Sequence, residues 1–478
     1  MLRSSSMAIT FEKGSRSWVR PAAVYVASVA GSVAVFLWVR SAGSSLGSVT
    51  DTTGGIAAKG AATRYEALPH VLFALLVIVS VSRFIGSLFR RIHQPAVIGE
   101  VVAGIALGPS LLGRVWPDAV GFLFPSEIIP FLGVLAQVGV ILFMFLVGLE
   151  LDTSLLRQGT HRSVAISHAS ILAPFLLGST ASLWMYSGYA MPGVSFTVFA
   201  LFFGIALSVT AFPVLARILT DRGIQRSRLG VLALTCAAVD DVTAWCLLAL
   251  LLSVAQAQAE RAAITVGLTV LFVATVILLR PLLVRFVRLQ EPRGALSQSG
   301  VAVIFTALLL SALATEWIGI HALFGAFLLG AVIPHDSLVA AQLRGKLEDT
   351  VIVLFLPVYF AFTGLRTHVG LVQGLSQWAV CGLIILLAFI GKFGGSYAAA
   401  RLTGLDKNTA ACVGVLMNTR GLMELIVLNL GLDLGILSPT LFAMFVIMAL
   451  VTTIATAPIL HYLQPSMQDS GRGVYSNL

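Results

Sequence analysis

The fold turns on one stretch, 231-VLALTCAAVDDVTAWCLLALLLSVA-255. It exceeds the roughly 20 apolar residues that a helix needs to cross a bilayer. Two adjacent carboxylates, Asp240 and Asp241, sit near its middle. An acid at bilayer depth costs at least about 2.5 kcal/mol, so such residues face a cavity, a partner or an ion path. Neighbours on a helix point about 100° apart, so one base on one side cannot neutralise both. At least one of the two therefore faces water or a site.

The rest of the chain is equally apolar. Of 478 residues, 58% are hydrophobic and 11% charged, against about 25% charged in soluble chains. Mean hydropathy is +0.96. These values indicate an all-α polytopic membrane protein embedded in the lipid bilayer. The net charge of +9 lies in short loops between apolar runs, which argues against nucleic acid as a partner. Cys236, Cys246, Cys381 and Cys412 fall inside apolar runs without paired spacing, so they read as small packing residues. No histidine pair with metal spacing, P-loop or nucleophile elbow occurs, so neither an enzyme nor a cofactor is expected.

Fourteen candidate spans can be drawn, near 21–39, 67–89, 95–112, 127–149, 163–185, 194–217, 228–254, 263–287, 299–315, 320–334, 351–364, 377–400, 408–431 and 438–462. The third, tenth and eleventh are short. The first follows Lys13, Arg16 and Arg20 and resembles a signal peptide, but its run exceeds the usual apolar core of about 7–15 residues. An uncleaved span is the favoured reading, with 41–66 as an external loop. With the N-terminus in the cytoplasm, only Arg40, Lys59, Arg64, Arg114, Arg261 and Arg366 of the 30 Lys and Arg lie outside. Arg83, Lys392 and Arg420 sit within spans, and the rest are cytoplasmic. This bias places both termini in the cytoplasm, with a short tail over 464–478.

Ionisable residues inside the spans are Glu100, Asp240, Asp241, Lys392, Arg420 and Glu424. Glu100 lies one turn inside the membrane, where water access could suffice. Glu150 and Asp152 read as a solvated helix end. Lys392 could snorkel to an interface, but Gly391, Gly394 and Gly395 around it favour close helix approach and a bundle-facing amine. Glu424 could pair with Arg420 at i,i+4 unless Gly421 breaks the helix between them.

Two spans carry backbone interruptions. In 204-GIALSVTAFPVLARIL-219, Pro213 removes a helix hydrogen bond, and Ser208 and Thr210 can satisfy the freed groups. In 414-GVLMNTRGLMELIVLNLG-431, Asn418 to Gly421 interrupt the run. Matched breaks in two halves of a chain point to a secondary transporter with inverted repeats. Units of five spans fit at about 95–254 and 320–462, each broken in its fourth span.

The stretches PAVIGEVVAGIALGPSLLG (95–113), SVTAFPVLARIL (208–219), CAAVDDVTAW (236–245) and VLMNTRGLMELIVLNLGL (415–432) resemble the monovalent cation–proton antiporter superfamily. They are most similar to its branch of cation/H+ exchangers, Kef-type systems and Na+/H+ antiporters. The resemblance covers 67–463, read as one transmembrane domain preceded by an extra span and loop at 1–66. It implies a homodimer, with a dimerisation domain and a mobile core holding two crossing broken helices, in the cell membrane. It also implies exchange of Na+ or K+ for protons by alternating access. Asp241 matches the essential aspartate. Asp240 matches a variable position where a second acid accompanies electrogenic exchange, and Lys392 matches a lysine of the electrogenic members. Asp240, Asp241, Thr210 and Ser208 are thus the expected cation and proton site, holding a monovalent cation at Asp241. Lys392, Arg420 and Glu424 are the expected charge-compensating residues. The rivals are a gated K+ efflux system of the same fold and a non-transporting membrane sensor.

Overall fold

The computed structural model describes residues 67–92, 94–150, 161–224, 227–255, 259–290 and 296–463, with a few positions between 31 and 41. Most of the expected first span at 21–39, the loop after it, Asp152 and the tail at 464–478 lie outside the described residues.

Among the described residues the regular elements are helices, apart from an isolated bridge between Ala190 and Leu437. In chain order they are α1 (Ala67–Arg91), α2 (Ala96–Leu107), α3 (Ile129–Glu150), α4 (His161–Tyr189), α5 (Phe196–Ser208), α6 (Phe212–Asp221), α7 (Arg228–Ala255) and α8 (Ala259–Gln290). There follow α9 (Gln298–Ile318), α10 (Ala322–Val332), α11 (Leu338–Thr350), α12 (Leu356–Arg366), α13 (Gly374–Leu402), α14 (Lys407–Met417), α15 (Leu422–Asp433) and α16 (Pro439–Leu463). Two short helices, Leu112–Val115 and Pro117–Leu123, lie between α2 and α3.

Among the described residues, eleven helices are long and apolar enough to cross a membrane, or twelve with the broken pair α14–α15, where thirteen of the fourteen expected spans fall. Two physical reasons account for differences inside the described region. The expected tenth span is the 11-residue α10, only about 16 Å long at 1.5 Å per residue. The expected eleventh span, 351–364, is the second half of a much longer one. α11 runs through a π-helical turn at Val351–Phe355 into α12, and Leu338–Leu371 forms one 34-residue span. Arg344, Lys346, Glu348 and Asp349 made its first half look like a loop.

The helices pack as two groups. One joins α4, α5, α6, α7, α13, α14, α15 and α16; the other joins α1, α2, α3, α9, α10 and α12, with α8 and α11 alongside. Contacts between the groups are sparser. Within each group the partners are reciprocal. Third helix packs on third (α4 on α13), and first on the other unit's second (α2 on α12, α10 on α3). Glycines make these approaches possible. A Cβ on Gly104 would strike Phe360 O, and one on Gly364 would strike the Gly104 carbonyl. Gly148 and Gly330 stand likewise against the Phe327 and Phe145 carbonyls. On the α4–α13 seam, Gly391 meets Pro174 and Gly395 meets Ala169, whereas Gly394 meets nothing within 4 Å.

Backbone cannot move aside as a flexible side chain can. Gly364→Ala is therefore expected to cost about 1–3 kcal/mol of stability by overpacking. Gly394→Ala should be neutral or slightly stabilising, since alanine is the better helix former. Thermal unfolding of the two variants in detergent compares them directly; equal midpoints would refute the close approach of α2 and α12.

Candidate functional site

The site forms where two interrupted helices cross. α5 ends at Ser208, and the chain runs extended at Val209 and Ala211 before α6 begins. Pro213 lies in the first turn of α6, a position where its missing N–H costs nothing. The break therefore precedes the proline, which starts the second half-helix rather than kinking a continuous one. α14 ends at Met417 and α15 begins at Leu422, with a 41° bend between them. Asp406 caps the start of α14, its Oδ2 accepting the Thr409 N–H at 2.9 Å. Hydrogen bonds from Thr409 hold the Asp406 carboxyl below the usual range. The interrupted segments are tied directly. The Ala211 N–H donates to Thr419 O at 2.9 Å, and the Thr210 hydroxyl lies 3.4 Å from Met417 O.

Ending α5 in the protein interior leaves its last carbonyls without helical partners. Two buried cations supply them. Arg420 donates from Nη1 to Ala206 O (3.0 Å) and from Nη2 to Leu207 O (2.5 Å). Lys392 Nζ donates to Ser208 O. Positive charge there also complements the negative end of the half-helix dipole. Arg420 Nη1 further binds Glu424 Oε2 at 2.7 Å, so the i,i+4 pair forms across Gly421. Thr453 on α16 satisfies the backbone at the second break, its Oγ1 accepting the Arg420 N–H at 2.9 Å.

The two aspartates have different surroundings. Asp240 is fully buried and engaged on both oxygens. Oδ1 accepts from Ser167 (2.5 Å). Oδ2 accepts from Ser170 (2.6 Å), Thr210 (2.7 Å) and Lys392 Nζ (3.2 Å). Asp241, 3% exposed, has a buried Oδ1 with no hydrogen-bond partner among the described residues. Its direction follows from Trp245, which stands at i+4 on the same helix face. Trp245 stacks on Phe327 of α10, ring centroids 6.3 Å apart. Asp241 thus lies on the face of α7 that meets the other helix group, while Asp240 points inward to α4, α13 and the first break.

Of the residues expected from sequence, Asp240, Thr210 and Lys392 meet directly, and Arg420 with Glu424 forms the adjoining pair. Ser208 contributes its carbonyl; its hydroxyl donates to Gly204 O (2.7 Å) and Ile171 O (3.0 Å) instead. Glu100 is 3.7 Å from Arg83, and Glu150 is 3.8 Å from Arg344. Ser167, Ser170 and Thr453 were missed. The i,i+3 spacing of two serines in an apolar helix was the available signal for the first two.

A second polar cluster bridges the helix groups farther along. Arg366 binds Asp433 Oδ1 at 2.5 Å and Asn429 Oδ1 at 3.3 Å. Asn429 Nδ2 donates to Tyr359 Oη (3.0 Å) and Thr363 Oγ1 (2.8 Å). Tyr359, Asn429 and Asp433 border a cavity of about 40 Å³ that His321 also lines. Burial pushes the His321 imidazole below its usual range, against the upward pull of Glu316 and Asp433.

Comparisons with known proteins converge on one group. The family model described as sodium/hydrogen exchanger, transmembrane, matches residues 73–462. The Na(+)/H(+) antiporter NhaS4 of Synechocystis sp. is 45% identical over 83% of this chain and 97% of its own. Cation/H(+) antiporter 20 of Arabidopsis thaliana is 38% identical over 82% of this chain, and K(+)/H(+) antiporter 1 of Saccharomyces cerevisiae 33% identical over 88%. The chain spans only about half of those two relatives, 48% and 50% of their lengths. Among solved structures, the sodium proton antiporter MjNhaP1 from Methanocaldococcus jannaschii at pH 8 superposes with a TM-score of 0.61. It covers 84% of this chain and 98% of its own at 14% identity, so it supports the fold alone.

Proposed function

The chain belongs to the sodium/hydrogen exchanger family, a family of membrane transporters, and we propose that it exchanges Na+ or K+ for protons across the membrane by alternating access. The observation that carries this reading is the asymmetry of the aspartate pair. Asp240 is saturated by Ser167, Ser170, Thr210 and Lys392, whereas its neighbour Asp241 keeps an unpartnered oxygen at the seam between the helix groups. Asp241 would take the proton or the dehydrated cation, never both, so the two compete for one site and exchange is coupled. Carbonyls at the breaks and the Thr210 hydroxyl, bonded here to Arg420, Lys392 and Asp240, would serve as oxygen ligands for a cation once those bonds open. Motion of the group carrying α5–α7 and α13–α16 against the other would turn the site from one face to the other. Relatives of this chain bear the names of both Na+ and K+ antiporters, so both cations belong to the proposal. The test is cation-driven proton flux in proteoliposomes with a pH-sensitive dye inside. A dye response to a Na+ or K+ pulse is expected, and silence to both would overturn the proposal.

Residues 67–463 would be the transport domain, built of inverted repeats at about 95–254 and 320–462. The reciprocal packing of α2 on α12 and α10 on α3 supports that division. The proposed assembly is a homodimer in the cell membrane with both termini cytoplasmic. Cross-linking in native membranes and accessibility of terminal tags test these points.

The same geometry supports electrogenic exchange. Lys392 and Asp240 form a buried pair at 3.2 Å, so cation arrival can release the lysine and move a second charge. A potential of 100 mV is worth about 2.3 kcal/mol per net charge moved. Na+-driven flux through the wild type should therefore accelerate or reverse with an imposed potential. The double variant Asp240→Asn/Lys392→Ala removes the pair without leaving a lone buried charge, and its flux should be indifferent to potential. An unchanged voltage response in the double variant would refute this role.

A further inference from the structure

Two kinds of contact hold the helices together. Inside each group, glycines bring backbones against their neighbours, as at Gly104 on Phe360 and Gly391 on Pro174. Such seams are fixed, because close-packed backbone does not slide. Between the groups, α12 and α15 are joined through side chains. Arg366 of α12 donates to Asp433 Oδ1 (2.5 Å) and Asn429 Oδ1 (3.3 Å) of α15. Asn429 Nδ2 donates back to Tyr359 Oη (3.0 Å) and Thr363 Oγ1 (2.8 Å) of α12. Asn429 is buried, whereas the Arg366 and Asp433 side chains are 22% and 44% exposed. His321 stands nearby, 4.0 Å from Glu316, and Asp433 also acts on its imidazole.

The position of this cluster gives it a use. The charge bias of the loops assigns its end of the bundle to the outside. Asn429 stands about two turns along α15 from its start at Leu422, about 10 Å at 1.5 Å per residue. The cluster therefore lies between the outer face and the crossing that holds Asp240. Beside it, the cavity of about 40 Å³ sits on the seam itself, walled by Gln137 and Val140 of α3, Tyr359 of α12, and Ile426 and Asn429 of α15. That is room for a few waters at most. A purely static role, pinning α12 to α15, is disfavoured by the chemistry. A half-exposed ion pair exchanges its partner for water at little cost, which makes a poor pin and a good latch. We propose that Arg366, Asn429 and Asp433 form the outer latch of the transport cycle, closing the seam in the conformation described and parting when the site turns outward. The proposal rests on the alternating-access reading and adds to it the residues that gate the outer face. They bind neither cation nor transported proton; they set how often the seam opens.

Opening is measured without any transport, so the latch and the exchange reading fail separately. A thiol is placed on the seam by Val140→Cys, at a buried position that lines the cavity. Cys246, the exposed native cysteine, is replaced by Ala. The full chain in nanodiscs is treated with an anionic, membrane-impermeant methanethiosulfonate, and labelling is followed by peptide mass spectrometry. A buried thiol reacts from the open form, so its rate follows the open population. With the latch intact, labelling should be slow. Arg366→Gln should accelerate it about fivefold, the order expected for a half-exposed ion pair. Asn429→Ala should accelerate it about tenfold, since only the Arg366–Asp433 bond then remains. Losing Arg366 removes a positive charge, which by electrostatics alone would slow an anionic reagent. The swap Arg366→Asp/Asp433→Arg should return the rate towards that of the intact latch. Cys236, Cys381 and Cys412, buried in the other seams, should stay unlabelled throughout, which separates an opened seam from a loosened fold. Unchanged labelling in both single variants, no restoration by the swap, or equal acceleration at the buried native cysteines overturns the proposal. Proteoliposomes silent to Na+ and K+ alongside these labelling changes would instead overturn the exchange reading and leave the latch as a conformational contact.

Discussion

Asp241→Asn is expected to reduce cation-driven proton flux to the level of empty liposomes while leaving the protein as stable as the wild type or more so. Both halves follow from the same atom. Asp241 Oδ1 is buried without a partner, and an unpaired buried carboxylate is costly to hold. Packing alone gives no reason for such a group, because asparagine has nearly the same shape and carries no charge. The amide cannot release a proton, and it offers a dehydrated cation no net charge to offset lost hydration. Exchange therefore loses both of its half-reactions at once. Asp240→Asn differs in kind. That carboxylate already has four donors, and its loss leaves Lys392 buried without a counter-charge. Asp240→Asn alone should therefore destabilise the fold, where Asp241→Asn should not. The dye assay combined with thermal unfolding separates the two. Full flux from a well-folded Asp241→Asn protein would sink the assignment, and so would a destabilisation as large as that of Asp240→Asn.

Much of this was legible in the sequence because charge in an apolar run is a loud signal. Asp240, Asp241, Lys392, Arg420 and Glu424 each stand out against some 20 apolar neighbours, and the structure gathers all but Asp241 around one crossing, with Asp241 on the neighbouring face of α7. What the sequence hid has a common physical cause. Ser167 and Ser170 are neutral hydroxyls, tolerated in any span, and nothing local marks them as donors to an acid 70 and 73 positions away. The cluster of Arg366, Asn429 and Asp433 lies at helix ends, where polar residues are unremarkable. Its members are 63 and 67 residues apart. Pro213 was read as the cause of a break that begins before it, because proline is as well suited to starting a helix as to interrupting one. The continuity of α11 with α12 was invisible for the opposite reason. Four charges in α11 read as a loop when hydropathy is averaged, although a helix partly outside the apolar core carries them at little cost.

The second large effect is structural and centres on Arg420. Its guanidinium is fully buried, pairs with an equally buried Glu424 at 2.7 Å, and closes two carbonyls at the end of α5. Breaking a buried ion pair by removing one partner costs about 3–5 kcal/mol, chiefly because the other charge is stranded. Arg420→Leu should therefore lose at least that much. In detergent this would appear as a large fall in unfolding midpoint or the loss of a monodisperse peak. Removing both charges is a different matter, since apolar replacements of buried pairs are often neutral or better. Arg420→Leu/Glu424→Leu should recover part of the loss. The recovery should stay incomplete, because Ala206 O and Leu207 O remain without donors, at about 1–3 kcal/mol each. Arg420→Lys should fall between, keeping the charge but losing the planar fork that reaches two carbonyls and a carboxylate together. This ordering distinguishes a residue that holds the crossing together from one that merely neutralises an acid. If charge neutralisation were the whole role, the lysine variant would match the wild type and the double leucine variant would recover completely. If Arg420 instead secures the end of α5, the deficit shared by all three variants measures what the open half-helix costs. The half-helix end beside Asp240 and Asp241 then persists only because a cation is bonded across it.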